Sequence, residues 1–589
     1  MIHTVLESIH QERLIQSLSE QQQANLYKDL SDFDNCYHGG IQAYTENVKR
    51  LLQHNDATQE YVSVEIPIGK DIGIGSAEHE SYEFVGKDEL KYCCFAIVGG
   101  GMGERLNSPR PKLCLESNVL TGQSFLSLYF SYFRAIETLY HCTVPVAIMT
   151  SRATNDPIKK ELEENQYYGL NPNSVTLMPQ IEVPSVIDSN GTLAIKEDGH
   201  LLLKPHGHGD IHTLLYQYGL PQQWKRINKR HIIFMQDTNI LAMYGFACLL
   251  GLSVSNHLDF TSLGIVRKPG ENVGSICRLQ DSKGRRLTCN IEYCDFERLL
   301  MNLTGVGDEP NENGNSSYPG NINVLYANIT TYLQTLDETH GTVPEFINPK
   351  YADDSHTYFK TPARLECMMQ DLPRIMAQKS RVGYCSLPRW ACFSAVKRNP
   401  ESAIQEAKKT GFGESFYSME EDFYKLFRRV LRMERIDVGS QEWDERITDP
   451  DGIPSLPILV LSPAASLTLS DMHSHFCGSL KMSDKSILLI DGTNIFLENV
   501  VLDGTLIIRA CPGANVYIRD ATIQNDGWIM KRKPEDPFRR YEIIIYDHLD
   551  MNWKREMQES SYLTSQERTI SNLFFKINSR GYRFFVKNE

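Results

Sequence analysis

The stretch FAIVGGGMGERL, Phe95 to Leu106, joins an apolar run to four glycines within five positions and sets Glu104 and Arg105 at their rim. A strand that opens into bare backbone lets main-chain N–H groups approach a base or a phosphate with no Cβ in the way. Past the turn NSPRP, Lys112 adds a second cation beside the same opening. That combination suits a polyphosphate, with a structural βα turn as the alternative. Two familiar phosphate loops are excluded. In the dinucleotide register G-x-G-x-x-G, Gly99 and Gly101 lead to Glu104, and Gly101 and Gly103 lead to Leu106; a P-loop Gly-Lys-Ser/Thr occurs nowhere in the chain.

Asp237 follows HIIFMQ at the expected carboxyl end of a strand, where its oxygen can take Mg²⁺, a hard cation that bridges to phosphate. The other reading is that Asp237 or Thr238 caps the helix starting near Ile240. HGHGDIH offers His206, His208, Asp210 and His212, residue types found in zinc sites. A dinuclear hydrolase pattern H-x-H-x-D-H needs adjacent Asp and His, and Ile211 separates them here. A glycine-rich turn, with Asp210 opening a helix, is therefore expected.

The elements that position these residues change along the chain. Residues 1 to about 85 read as mostly helical. From Lys91, YCCFAIV, VPVAIMT and RHIIFMQDTN alternate with the helix-like FLSLYFSYFRAIETLY and ILAMYGFACLLG. Strands separated by helices predict a mostly parallel sheet covered on both faces, with ligands beyond its carboxyl ends. After DPDGIPSLPILVLSP, short Ile/Leu/Val runs are broken by Asp491-Gly492 and Asp503-Gly504, twelve residues apart. Two hexads suggest the coils of a small β-helix, docked on its own central domain or on another copy, and an antiparallel meander is the alternative.

A length of 589 residues favours two to four domains. The formal net charge of −14 repels polyanions, and the basic cluster Lys531 to Lys533 with Arg539 and Arg540 reads as a solvated turn. No nucleic-acid partner is expected. No stretch approaches the roughly 18 to 20 apolar residues of a membrane span, and the N-terminus lacks the pattern of a secretory signal. The 14 cysteines show no CxxC pair or framework, which points to free thiols and a cytoplasmic location.

GGGMGERLNSPRPK resembles the signature of the UDP-glucose and UDP-sugar pyrophosphorylases. In order, KPHGHGDIHTLLY, FMQDTN, NIEY, GNINVL, GTVPEFINPKY, KTPARLECMMQD and AVKRN agree, spanning roughly Cys93 to Asn399. PHGHGD, QDTN and VPEFINPKY look closest to the broad-specificity UDP-sugar enzymes. Asn107 stands where many relatives continue with glycine, and LMPQIEVP replaces a Gln-rich stretch. The resemblance implies a Rossmann-like, GT-A-like α/β nucleotidyltransferase domain over 86–455, a helical N-terminal region over 1–85 and a C-terminal domain with a short β-helix over 456–589. It also implies reversible, Mg²⁺-dependent uridylyl transfer: UTP and a sugar 1-phosphate give a UDP-sugar and pyrophosphate, over a broad sugar range, by a monomer. A narrower UDP-glucose or UDP-N-acetylhexosamine enzyme, or a non-catalytic regulatory subunit, stays open. By the same resemblance Arg105 and Lys112 grip the β- and γ-phosphates, and Lys397 reaches between the α-phosphate and the sugar phosphate. Gly99, Gly100, Gly101, Gln180 and Gly207 receive the nucleotide, His208 faces the phosphates, Glu292 and Asn323 meet the sugar, and Asp237 holds the metal.

Overall fold

The structure is a computed structural model that describes residues 2–16, 18–53, 61–445, 457–510, 515–525, 527–533, 541–545 and 573–577. An eleven-stranded mixed sheet forms its centre. Its main path runs Ile68–Asp71, Val382–Leu387, Phe260–Ile265, Gly320–Asn328, His231–Met235, Cys93–Val98, Val146–Thr150 and Val175–Pro179. Neighbours on this path are parallel except where Gly320–Asn328 runs antiparallel to both sides. That reversal brings the start of Gly320–Asn328 to the edge where the parallel strands end. The runs CCFAIV and HIIFM are buried at every position, as strands covered on both faces must be. The helix Phe125–Tyr140 covers one face, its start capped by Ser124, whose Oγ accepts the Ser127 N–H at 3.1 Å.

The expected helical region to residue 85 holds only in part. Helices Glu20–Asp34 and Gly40–Gln53 are followed by strands Tyr61–Glu65 and Ile68–Asp71. The first strand pairs with Ser275–Asp281 and the second with Val382–Leu387. Residues 61–71 therefore belong to the central sheet, because sequence-distant partners complete strands whose own pattern is short and polar. The N-terminal helices bury Leu26, Leu30, Phe33, Tyr44 and Val48 against Val183, Val186, Leu201 and Leu365.

In the C-terminal part the chain alternates between two parallel sheets. One holds Ile458–Leu461, Ile487–Asp491, Thr505–Ala510 and Leu573–Ile577; the other holds Phe476–Met482, Asn494–Asp503 and Asn515–Gln524. Ile487 pairs with Thr505 and Asn494 with Asn515, offsets of 18 and 21 residues. The twelve-residue spacing is thus not the coil repeat. Each Asp-Gly marks a corner where the chain leaves one sheet, so consecutive pairs sit at successive corners of a longer coil. The coil docks on its own chain: a single hydrophobic core runs from Phe95 and Phe133 through Phe427 to coil positions such as Leu488 and Ile508. Glu83 holds the docking loop, accepting the N–H groups of Leu469 (3.0 Å) and Ser470 (2.8 Å). The expected boundary at 455, and Arg539 and Arg540 of the basic cluster, lie outside the described residues.

Helices Ala77–Glu89 and Phe246–Ser255 cross at Gly86 and Gly251. A Cβ on Gly86 would lie 1.7 Å from the Ala247 carbonyl oxygen, and one on Gly251 would lie 1.9 Å from that of Tyr82. Gly86→Ala must push the helices apart, so we expect a loss of about 1–3 kcal/mol, the usual cost of overpacking. Urea unfolding of parent and variant measures it; equal midpoints and slopes would contradict this contact.

Candidate active site

The glycine crossing begins where Cys93–Val98 ends, with the Gly99 N–H still bonded to Met149 O at 2.7 Å. The next two glycines each face a side chain named from the sequence. A Cβ on Gly100 would stand 2.9 Å from Nε2 of Gln180. A Cβ on Gly101 would stand 2.9 Å from Oδ2 of Asp237 and 3.4 Å from Cδ of Lys112. The Gly101 carbonyl also accepts the Lys112 N–H at 3.0 Å. Arg105 lies exposed on the 3-10 turn Glu104–Leu106. That turn ends at Asn107 with φ 62°, a left-handed conformation that asparagine tolerates better than most residues.

Asp237 is buried, and its Oδ1 takes the Thr238 hydroxyl at 3.3 Å. The capping alternative is not what the structure shows: the turn Ile240–Gly245 has Asn239 at its cap position and no side-chain capping bond. Burial pushes the Asp237 carboxyl above the usual carboxylate range, and the Lys112 ammonium opposes that shift. A buried carboxylate turned toward a bare backbone opening fits a divalent cation, which would supply the missing charge.

HGHGDIH does not converge as a zinc site. His212 points into the core, bonding Tyr332 Oη and Met369 O at 2.9 Å each. His208 Nδ1 accepts the Met369 N–H at 3.0 Å. Burial pushes the His208 imidazole down to about 4, so at neutral pH it is uncharged with its proton on Nε2. Gly207, at φ 134°, abuts the backbone of Cys367, whose oxygen would lie 2.4 Å from an added Cβ. Its bare Cα is thus required by a neighbouring chain segment.

His206 joins Asp210 Oδ1 through Nδ1 at 2.6 Å and Glu345 Oε1 through Nε2 at 2.7 Å. Glu345 in turn accepts from Tyr37 Oη at 2.8 Å and from Asn47 Nδ2. Burial disfavours the charged ring, but the neighbouring Cys367, Asp210 and Glu345 together raise its pKa well above the ordinary histidine value. The Cys367 thiol is itself pushed up to about 12 by burial, so at neutral pH it is an uncharged thiol. His206, Asp210 and Cys367 lie within 4.8 Å of one another, yet both ring nitrogens serve as donors and neither offers a metal a lone pair. No local pattern singles out Glu345, Tyr37 or Asn47, because the pairing spans 139 residues from His206 to Glu345.

Lys397 follows the turn Arg389–Cys392. Asn239, two positions past Asp237, clasps this segment: Nδ2 donates to Cys392 O at 3.0 Å and Oδ1 accepts the Ser394 N–H at 3.1 Å. The Lys397 ammonium rests 3.5 Å from Glu414, with its side chain 54% exposed. Glu292 and Asn323 belong to a separate polar cluster. Asn290 Nδ2 donates to Glu292 Oε1 at 2.7 Å, and Asn321 Nδ2 to Asn323 Oδ1 at 2.8 Å. Gly274 lies between the two pairs, its carbonyl accepting the Asn321 N–H at 2.8 Å and its Cα set against the Asn290 amide. Burial pushes the Glu292 carboxyl up, and the Asn290 hydrogen bond opposes it.

A family model described as UTP–glucose-1-phosphate uridylyltransferase matches residues 42–285. Over 561 residues the chain is 32% identical to the UDP-sugar pyrophosphorylase of Oryza sativa subsp. indica, covering 91% of this chain and 90% of that one. The chain belongs to the UDP-sugar pyrophosphorylase family. The UDP-sugar pyrophosphorylase of Arabidopsis thaliana is 31% identical over 532 residues, 87% of this chain and 85% of its own. Among solved structures, the uridine diphosphate N-acetylglucosamine pyrophosphorylase of Trypanosoma brucei superposes with a TM-score of 0.60 at 16% identity, covering 80% of this chain and 93% of that one. That likeness shows a shared fold. As a member of the UDP-sugar pyrophosphorylase family the chain is a uridylyltransferase.

In this UDP-sugar pyrophosphorylase family member, the His206 pairing makes stability depend on pH. Its folded pKa stands above that of a free imidazole. The contribution is therefore complete below about pH 6.5 and is lost as pH rises through the folded value. His206→Gln should cost about 3–5 kcal/mol at pH 6, because it leaves two buried carboxylates without their cation. Thermal melts at pH 6 and pH 9 should show a smaller difference between parent and variant at the higher pH; a constant difference would contradict a charged ring.

Proposed function

We propose that the glycine crossing receives UTP and that the chain transfers its uridylyl group to a range of sugar 1-phosphates with Mg²⁺. The observation that carries this reading is the meeting of Gly101, Lys112 and Asp237 within one small volume at the sheet edge. In the reaction a phosphate oxygen of the sugar 1-phosphate attacks the α-phosphorus in line, the bond to the bridging β-phosphate oxygen breaks, and pyrophosphate leaves. Positioning and charge neutralisation supply most of the catalysis. Uracil lies against Gly99 and Gly100, with the Gln180 amide beside it and Gly207 opposite. Lys112 and Arg105 take the β- and γ-phosphates, and Lys112 neutralises the departing pyrophosphate. His208, neutral, offers a donor proton on Nε2 toward the phosphates. Lys397 leaves Glu414 and bridges the α-phosphate and the sugar phosphate; an exposed ion pair of this kind costs little to break. Glu292 and Asn323 receive the sugar. Asp237 would hold Mg²⁺, which when bound would supply positive charge to offset that of the phosphates.

The alternating parallel coils are read as a short β-helix that rides on the catalytic unit, and the enzyme as a cytoplasmic monomer. Among the described residues no helix is long and apolar enough to cross a membrane.

Pyrophosphate release from UTP with glucose 1-phosphate and with galactose 1-phosphate tests the reaction and its range. Lys112→Ala and Lys397→Ala should each lower kcat by about 10²–10³ with unchanged unfolding midpoints; parent rates in both would remove these roles. Asp237→Asn should raise the Mg²⁺ concentration needed for half-maximal rate, and an unchanged Mg²⁺ profile would place the metal elsewhere.

A further inference from the structure

The Glu292 cluster contains two amide oxygens that the protein leaves unused. Gln370 is 3% exposed, and its Oε1 is buried with no hydrogen-bond partner. Asn290 is 8% exposed, and its Oδ1 is in the same condition. Their orientation is fixed by Glu292. A carboxylate accepts, so the NH₂ ends of Asn290 and Gln370 must face it. Both oxygens then point away from Glu292. The Gln370 amide also makes a contact from Nε2 to Met368 Sδ at 3.0 Å, and a thioether is a weak acceptor. The cation on the same turn, Arg374, is engaged by Asp371 at 2.8 Å.

Buried acceptors without donors are costly, and native proteins keep them where a ligand will supply the proton. A group of acceptors with its cation already engaged does not suit a phosphate. It suits a neutral molecule rich in O–H donors. We infer that Gln370 is a specificity-determining residue whose Oε1 accepts a hydrogen bond from one hydroxyl of the sugar ring; Asn290 Oδ1 instead packs against the Gly274 Cα. This rests on the sugar-side role proposed for Glu292.

The placement of Gln370 also ties the sugar to the nucleotide. It sits on the 3-10 turn Met369–Arg374. The Met369 N–H of that turn is bonded to His208, and Cys367, two residues before Met369, supports Gly207. A single short segment therefore supports the nucleotide loop and carries the residue that reads the sugar. A ring bound in the wrong epimeric form would leave Oε1 unpaired and would lose the rigid reference that this segment provides.

The test uses the full-length chain, UTP and a series of glucose 1-phosphate analogues each lacking one ring hydroxyl, together with galactose 1-phosphate. Gln370→Met keeps the side-chain length and removes the acceptor. It should raise KM for glucose 1-phosphate about tenfold while KM for UTP changes less than twofold. For one analogue the parent should already show that penalty, and Gln370→Met should add less than twofold to it. Penalties that multiply for every analogue, or an unchanged sugar KM, overturn the assignment. Where Gln370→Met fails to fold, Gln370→Asn, which keeps the amide and withdraws it by one methylene, is judged by the same criterion. A parent that releases no pyrophosphate with any sugar 1-phosphate overturns the transferase reading and this assignment with it. An active parent beside an indifferent Gln370→Met overturns this assignment alone.

Discussion

The site depends on one constraint: Asp237 and Lys112 meet across a stretch of main chain that has no side chain to keep them apart. Burial makes the carboxylate expensive to charge, and the lysine alone offsets that cost incompletely. The result is a centre held short of electrostatic balance, which a divalent cation and a polyphosphate together can complete. Any side chain at Gly101 would stand 2.9 Å from the Asp237 oxygen. Glycine here is required by the close approach of that carboxylate more than by the turn.

A second layer of buried charge keeps the His206–Asp210 loop in place. His206 is clamped between Asp210 on its own loop and Glu345 on a distant strand. Glu345 also takes Tyr37 and Asn47 from the N-terminal helices. The helical region thereby acts on the site through hydrogen bonds, without supplying a reacting group. A loop fixed in this way can present Gly207 and a neutral His208 at constant geometry, because a buried, doubly paired imidazolium has no inexpensive alternative arrangement.

What could be read from the sequence follows from how local each feature is. The glycine crossing, Lys112 and Asp237 were legible because a strand, a bare turn and a carboxylate at a strand end are short-range patterns. The same holds for the buried strands, whose apolar runs reflect cover on both faces. The edge strands Tyr61–Glu65 and Ile68–Asp71 were not legible, since their partners lie hundreds of residues away and their own pattern is half polar. The coil length was not legible for a related reason: Asp-Gly marks corners, and the distance between corners is not the distance between stacked strands. Glu345 and Gln370 stand out in the sequence only as parts of longer motifs. Their chemistry becomes visible once three-dimensional neighbours reveal one as fully engaged and the other as unpaired.

The two ends of the site differ in how firmly their charges are held, and that difference has a mechanistic consequence. Asp237 and His206 are buried and tied, so the geometry around both is set by the fold itself. Lys397 is largely exposed and rests on Glu414 at 3.5 Å, a pairing that solvent screens and that contributes little. Asn239, two residues past Asp237, nevertheless anchors its segment at Cys392 and Ser394. In the proposed reaction, a lysine that is anchored at its base and loose at its tip would wait on a carboxylate while the sugar phosphate enters, then exchange that carboxylate for phosphate oxygens without rebuilding the fold. Fixing the costly buried charges and leaving the exposed one loosely held would then assign rigidity to the side that must be preorganised and motion to the side that must admit a second substrate.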